Sequence, residues 1–439
     1  MFMKPVTYLF FLLLCGFASS AQTPVILCGN DLFNGIVRAH HPELAAGIDA
    51  TFEAARQAKA RPRGPLTINV VVHVVWKDAA ENLSDDVIYD QIAVLNADYN
   101  RLNADTGNLR PLFQPVAGNA DIHFNLAAIE RVQTSQLFEV DVLGNTLLTE
   151  LKHSAQGGSD AWDTDHYLNI WVCKIQPLAI GPLVLGQVLG FAFPPNDLPN
   201  WPADSGAPGA DEDGVVIDYR AFGSNNPNTL EFPGVGALTI KGRTPTHEVG
   251  HYLGLRHIWG DGGLLGPNDC AQSDGIDDTP FANAQSNFDC DITKNTCPQV
   301  EVFYAADMPD LIENYMDYSS EDCMNMFTKG QVELMRNVLV GPRSGLLESV
   351  ATHQPSQEAS AFRLSPNPAN GRVRVELSTP ALTGSSLSLY GAEGRLLRKM
   401  TLPEGASIEW IDLNGLPSGL YMVQVQNGRQ GAAERLVVR

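Results

Sequence analysis

Lys and Arg are scarce in this 439-residue sequence, 29 against 50 Asp and Glu, which leaves a net charge of −21. A chain this acidic is a poor candidate for binding nucleic acid or an anionic membrane, since both need a positive surface. Charged residues of either sign are few as well, 18%, while 44% are hydrophobic, so the chain can bury a core and is not globally disordered. Beyond the N-terminus no run is long and apolar enough to be a transmembrane segment. What the chain has in quantity is punctuation: 39 Gly and 28 Pro point to a loop-rich β or α/β protein rather than a helical bundle.

The exception at the N-terminus reads as an export signal, residues 1–21. Lys4 precedes an apolar stretch from Tyr8 to Ala18 that is too short to span a bilayer, and Ser19-Ser20-Ala21 supplies small residues for cleavage. Export permits disulfides. Of seven cysteines, Cys15 leaves with the signal. Cys270, Cys290, Cys297 and Cys323 crowd into a Gly/Asp/Asn-rich stretch of weak periodicity, where cross-links make up for a small core, and four cysteines allow three pairings. Cys173 lies in the apolar run from Leu168 to Ile175 and reads as a buried strand thiol; Cys28 stands alone near the N-terminus.

Composition divides the rest. Residues 22–60 are polar, with helical composition from Ala45 to Ala60, and end in the basic stretch Lys59-Ala60-Arg61-Pro62-Arg63, an accessible cleavage site; they read as a propeptide. Residues 61–345 alternate strands with helices, which predicts an α/β fold around a sheet. The Val-rich run from Leu66 to Trp76 reads as a central strand, and Ser84 caps a helix whose Ile88, Ile92, Leu95 and Tyr99 share a face. Ile122 to Ile129, Leu168 to Ile175 and Val215 to Tyr219 are further strands, and the glycine-bearing Leu185 to Phe193 reads as an edge strand. Residues 346–361 are a linker by composition. Residues 362–439 switch to six short strands separated by Asn-Gly and Pro turns, the pattern of an all-β sandwich. That last segment holds nine basic and six acidic residues, a net of +3, which leaves −24 on the remainder.

The chemistry is concentrated in residues 247–257, His-Glu-Val-Gly-His-Tyr-Leu-Gly-Leu-Arg-His. On a helix with Thr244 as N-cap and Pro245 at its first position, His247 and His251 lie one turn apart on one face and can bind one metal ion. Glu248 is then placed to serve as general base toward water. Gly254 lets the chain leave the helix and return His257 as a third ligand. Three imidazoles with one position left open describe a catalytic zinc site rather than a closed structural one. A downstream Glu as third ligand is disfavoured by His257.

This motif, followed by Asn314-Tyr-Met-Asp-Tyr318, resembles the metzincin metallopeptidases. His257-Ile-Trp-Gly260, Asp278-Thr-Pro280 and the stretch from Asn314 to Gly330 narrow the resemblance to the pappalysin family, over roughly residues 65–342. The resemblance implies a twisted mixed sheet with helices above the cleft and an irregular lower subdomain. Met316 would be the methionine beneath the zinc histidines, and Tyr318 the tyrosine that approaches the metal and steadies the oxyanion. It implies structural calcium, for which Asp274, Asp277, Asp278 and Thr279 offer oxygen ligands, and disulfides Cys270–Cys297 and Cys290–Cys323. It also implies that Glu321 receives an Arg or Lys side chain just after the scissile bond, and that Cys28 fills the open metal position in a latent zymogen. Two other readings of Cys28 stay open, a disulfide to Cys173 or a spare thiol with Asp31 in its place. Substrate backbone would add to the edge strand at Gly190, Phe191 and Ala192.

The C-terminal segment has its own resemblance, carried by Leu364-Ser-Pro-Asn-Pro-Ala-Asn-Gly371, Tyr390-Gly-Ala-Glu-Gly-Arg395 and the stretch from Leu416 to Val423. It is similar to the type IX secretion sorting domain of Bacteroidetes, which implies that secretion machinery as a partner and a secreted or cell-surface location. The expectation is therefore a secreted zinc endopeptidase acting on proteins or peptides. The competing reading is an inactive metzincin-like surface adhesin, which the intact Glu248 and three histidines oppose.

Overall fold

The computed structural model describes residues 25–28, 64–141, 146–180, 183–194, 207, 209–232, 236–260, 270, 273–347, 362–391, 396–427 and 430–439. The export signal and most of the segment read as a propeptide, including the basic stretch at 59–63, lie outside the described residues. The chain forms two compact units, Met1–Ser349 and Val350–Arg439.

The first unit is built on a mixed sheet. Its strands are β1 (Val25–Cys28), β2 (Leu66–Trp76), β3 (Ile122–Gln133), β4 (Leu168–Cys173), β5 (Leu178–Ile180), β6 (Leu183–Ala192) and β7 (Val215–Asp218). They are ordered β1-β6-β7-β4-β2-β3, with β5 also on β6. Strand β6 runs antiparallel to β7 and β5 antiparallel to β6; β7, β4, β2 and β3 are parallel. The run of valines in β2 follows from its central position: Ile68, Val70, Val72 and Val74 face one core and Val75 the other.

Among the described residues three α-helices accompany the sheet: α1 (Asp85–Tyr99), α2 (Arg243–Tyr252) and α3 (Lys329–Val340). Helix α1 buries Ile88, Ile92, Leu95 and Tyr99, and Ser84 is its N-cap residue, although the Ser84 hydroxyl makes no capping bond. Between α2 and α3 the described residues are irregular, with two-residue ladders, and the disulfides Cys270–Cys297 and Cys290–Cys323 staple them.

Two expectations need correction. Among the described residues β6 is not an edge, because β1 pairs with it in parallel from Gly186 to Gly190. A four-residue strand between polar segments has no periodicity to detect; it forms because β6 offers an unpaired ladder. Helix α2 begins at Arg243 behind Gly242 (φ +76°), so Thr244 and Pro245 sit inside its first turn rather than at the N-cap and first position.

Among the described residues the second unit has seven strands, β8 (Phe362–Asn370), β9 (Arg372–Leu377), β10 (Ser386–Gly391), β11 (Leu396–Thr401), β12 (Ile408–Asp412), β13 (Gly419–Asn427) and β14 (Gln430–Val438). Their order is β11-β10-β13-β14-β8-β9-β12, around a core of Phe362, Val373, Val375, Leu389, Val423 and Leu436. The additional strand is β8, whose Pro366 and Pro368 fall in the gap between its paired residues Ser365 and Asn370. Proline cannot donate to a ladder, so this sequence does not read as a strand.

Candidate metal centre

Helix α2 presents His247 and His251 one turn apart, and the chain turns back at Gly254 (φ +91°) to bring in His257. The Gly254 and Leu255 N–H groups close the helix on the carbonyls of His251 and Gly250. The three Nε2 atoms lie 3.0, 3.1 and 3.3 Å apart. Two rings are locked from behind: His247 Nδ1 donates to the Tyr315 carbonyl at 2.7 Å and His251 Nδ1 to the Leu255 carbonyl at 2.8 Å. A carbonyl only accepts, so in these rings the proton sits on Nδ1 and the Nε2 lone pair is left facing the other rings. Burial, then the neighbouring imidazoles, hold His251 well below its ordinary pKa, which keeps it neutral. Converging lone pairs repel unless a cation lies between them, and ligands at roughly 2.0–2.1 Å from a tetrahedral zinc ion are about 3.3 Å apart. The residues therefore fit the metal.

A fourth donor completes the set. Strand β1 ends at Cys28, whose sulfur lies with the three histidine nitrogens in one buried cluster, all within 4.8 Å of one another. The Cys28 thiol also donates to Glu248 Oε2 at 3.4 Å, and its backbone N–H donates to the Tyr318 hydroxyl at 2.8 Å. Cys28 and Cys173 are both unbridged, so the Cys28–Cys173 disulfide is not formed.

Close packing fixes the frame. Met316 lies under the helix, where a Cβ on Gly250 would stand 2.5 Å from its sulfur. A Cβ on Gly190 would stand 2.8 Å from Glu248 Cγ, so only glycine lets β6 approach the helix this closely. Phe191 and Ala192 are buried, and β1 stops short of both. His257 stacks on Trp259 (4.4 Å, 8°), and Tyr318 meets the rings of His257 and Trp259 edge-on.

The cleft beside the cluster is lined by Leu238, Ile240, Thr244, Glu248, Phe288 and Glu321 among others. Glu321 lies in its wall with both oxygens occupied. Oε1 accepts from the Thr244 N–H and hydroxyl at 2.9 Å each; Oε2 accepts from the N–H groups of Lys241 and Arg243. This carboxylate is the cap of α2, and that is why Thr244 does not serve as one. No local signal in the sequence pointed to it, because the cap comes from 77 residues away.

Further from the cluster, Asp274 Oδ2, Asp278 Oδ1 and Thr279 Oγ1 are buried with no hydrogen-bond partner among the described residues. Asp277, expected with them, is exposed.

Comparison with known proteins adds the following. Residues 236–340 match the family model described as pregnancy-associated plasma protein-A, and residues 363–439 match that of a secretion system C-terminal sorting domain. The extracellular metalloprotease of Arthroderma benhamiae is 31% identical over 64% of this chain and 74% of its own length. Extracellular metalloprotease 1 of Coccidioides posadasii is 31% identical over 64% and 80%. Among solved structures, mature mirolysin of Tannerella forsythia in complex with a cleaved peptide is 37% identical, covering 65% of this chain and 97% of its own, with TM-score 0.52. A promirolysin mutant of the same organism is 35% identical over 73% and 96%, with TM-score 0.57.

Proposed function

This chain belongs to the pregnancy-associated plasma protein-A family of zinc metallopeptidases, and from that premise we propose that it is a secreted endopeptidase, latent as synthesised, that takes a basic side chain just after the scissile bond. The observation that carries the reading is the convergence of three buried Nε2 atoms, two of them fixed by carbonyls behind the rings.

His247, His251 and His257 would hold the zinc, which when bound supplies the Lewis acidity that polarises a scissile carbonyl and activates water. Glu248 takes the proton from the attacking water and hands it to the leaving amine. The Tyr318 hydroxyl donates to the oxyanion as charge develops there. Met316 and Gly254 hold the three imidazoles in place. Substrate backbone adds to β6 at Gly190, Phe191 and Ala192 once β1 has left.

Latency follows from where β1 ends. Cys28 would supply a thiolate as fourth ligand, its proton passing to Glu248, and its backbone N–H holds the Tyr318 hydroxyl as acceptor, so β1 takes the metal position, neutralises the base and fills the space where substrate would meet Tyr318. Cleavage at Ala60–Arg61, outside the described residues, would release it, and an enzyme that cuts before Arg can perform that step itself.

Basic specificity rests on Glu321. Its lone pairs are spent on α2, so it offers an incoming cation its charge rather than a free fork, and Lys is accepted along with Arg. Calcium is supported by the three orphaned oxygens of Asp274, Asp278 and Thr279, a hard set suited to that ion. The C-terminal unit is the address read by type IX secretion machinery, and protein or peptide is the substrate. Cleavage of a random peptide library by the matured enzyme tests the specificity: Arg or Lys should dominate just after the cut, and an apolar preference there would refute it.

A further inference from the structure

Asp98, one residue from the end of α1, is 5% exposed and does not line the cleft. Its Oδ2 accepts from the Thr246 hydroxyl and its Oδ1 from the Tyr315 hydroxyl, each at 2.8 Å. Both partners lead directly to the metal cluster. Thr246 precedes His247 in α2, and the carbonyl that orients His247 Nδ1 belongs to Tyr315. One carboxylate thus joins α1, the first turn of α2 and the segment entering Met316.

The surroundings are arranged for a charge. Arg243 Nε lies 3.8 Å from Asp98 Oδ2, while the rest of the guanidinium is engaged by Asp105 at 2.6 Å and by the carbonyls of Glu321 and Met324. The neighbouring Tyr99 hydroxyl donates to the Thr246 carbonyl at 3.1 Å, a second tie between the same two helices. Burial pushes the Asp98 carboxyl up to about 6, against the pull of Arg243 and the two hydroxyls. A buried carboxylate is a costly way to join packed helices that already share an apolar face. What it adds over apolar contact is two directed bonds that fix the spacing between His247 and the carbonyl behind it.

We infer that Asp98 is a positioning residue for the metal centre, holding His247 and its orienting carbonyl in register through the hydroxyls of Thr246 and Tyr315. The inference rests on the reading of His247 as a metal ligand. Partners that orient a ligand typically alter metal affinity by about 10- to 100-fold when removed.

The test uses the full-length chain, with zinc release into excess chromophoric chelator and the visible spectrum of the cobalt-substituted protein as readouts. Asp98→Ala should release zinc about 10- to 100-fold faster and shift the cobalt bands. Asp98→Asn, which keeps shape and one acceptor, should fall between Ala and wild type. Tyr315→Phe, which deletes one of the two bonds, should also speed release. A lowered unfolding temperature with wild-type release rate and cobalt spectrum would overturn the inference, and if Asp98→Ala fails to fold, Tyr315→Phe decides it by the same readouts. His247→Ala separates the two levels. If it holds zinc as tightly as wild type, the ligand reading fails and this inference with it; if it loses zinc while the Asp98 and Tyr315 variants do not, only the role of Asp98 falls.

Discussion

Replacing Glu321 by Gln removes a charge and half of a cap. Four donors converge on its two oxygens, from Lys241, Arg243 and, twice, Thr244. Gln keeps one acceptor oxygen, and its amide nitrogen then confronts the other pair as donor against donor. Hydrogen bonds to a charged group are each worth about 1.5–3 kcal/mol, and a negative charge at a helix N-terminus adds about 0.3–1 kcal/mol. Burial raises the Glu321 pKa, so relief of desolvation offsets part of the loss. The net destabilisation is about 2–4 kcal/mol, or roughly 3–7 °C in Tm for a unit of this size. Calorimetry on the zinc-loaded protein measures it. Initial rates on matched peptides with Arg, Lys or Leu after the scissile bond measure the second effect, a loss on the basic peptides about tenfold greater than on Leu. An unchanged Tm would refute the cap, and equal losses on all three peptides would remove Glu321 from recognition.

Cys28→Ala keeps the backbone bond to Tyr318 but deletes the fourth donor, so the proform should mature faster; processing at the wild-type rate, followed by gel and N-terminal sequencing, would show that Cys28 is not the switch. Lys152 is fully buried against the rings of Trp171, Phe191 and Phe193, and burial lowers its pKa to about 7. Between about pH 7 and 10 the unfolded chain carries a proton there that the folded one does not, so stability rises with pH at up to about 1.4 kcal/mol per unit. Lys152→Met should flatten that rise in urea titrations at pH 7, 8.5 and 10. If Asp274, Asp278 and Thr279 hold calcium, Asp274→Asn should lower Tm in calcium and abolish the further drop on adding a calcium chelator.

The motif residues were legible because their chemistry is local: one helical turn sets His247 against His251, and one glycine sets the return to His257. The central strands were legible for a similar reason, since a strand buried on both faces must be apolar throughout, as β2 is. What stayed hidden depends on partners distant in sequence. Thr244 looked like a cap because nothing nearby announces Glu321. Strand β1 is too short to carry a pattern and exists through its pairing with β6. Strand β8 has prolines where a strand should donate. Asp98 sits on the face of α1 that buries Leu95 and Tyr99, and a lone acid there reads as a helix-surface charge until Thr246 and Tyr315 are in place. Trp259 lies two residues after His257, but its stacking on that ring has no signature in spacing.

The central claim is that zinc held by three histidines and a separate base, Glu248, cleave peptide bonds. Glu248→Ala separates metal from base. Zinc content and turnover should be measured on the same purified sample, matured in trans by wild-type enzyme that is then removed. One zinc per chain, as in wild type, is expected with turnover reduced by about 10²- to 10⁴-fold; substantial proteolysis by the zinc-loaded variant would contradict the mechanism.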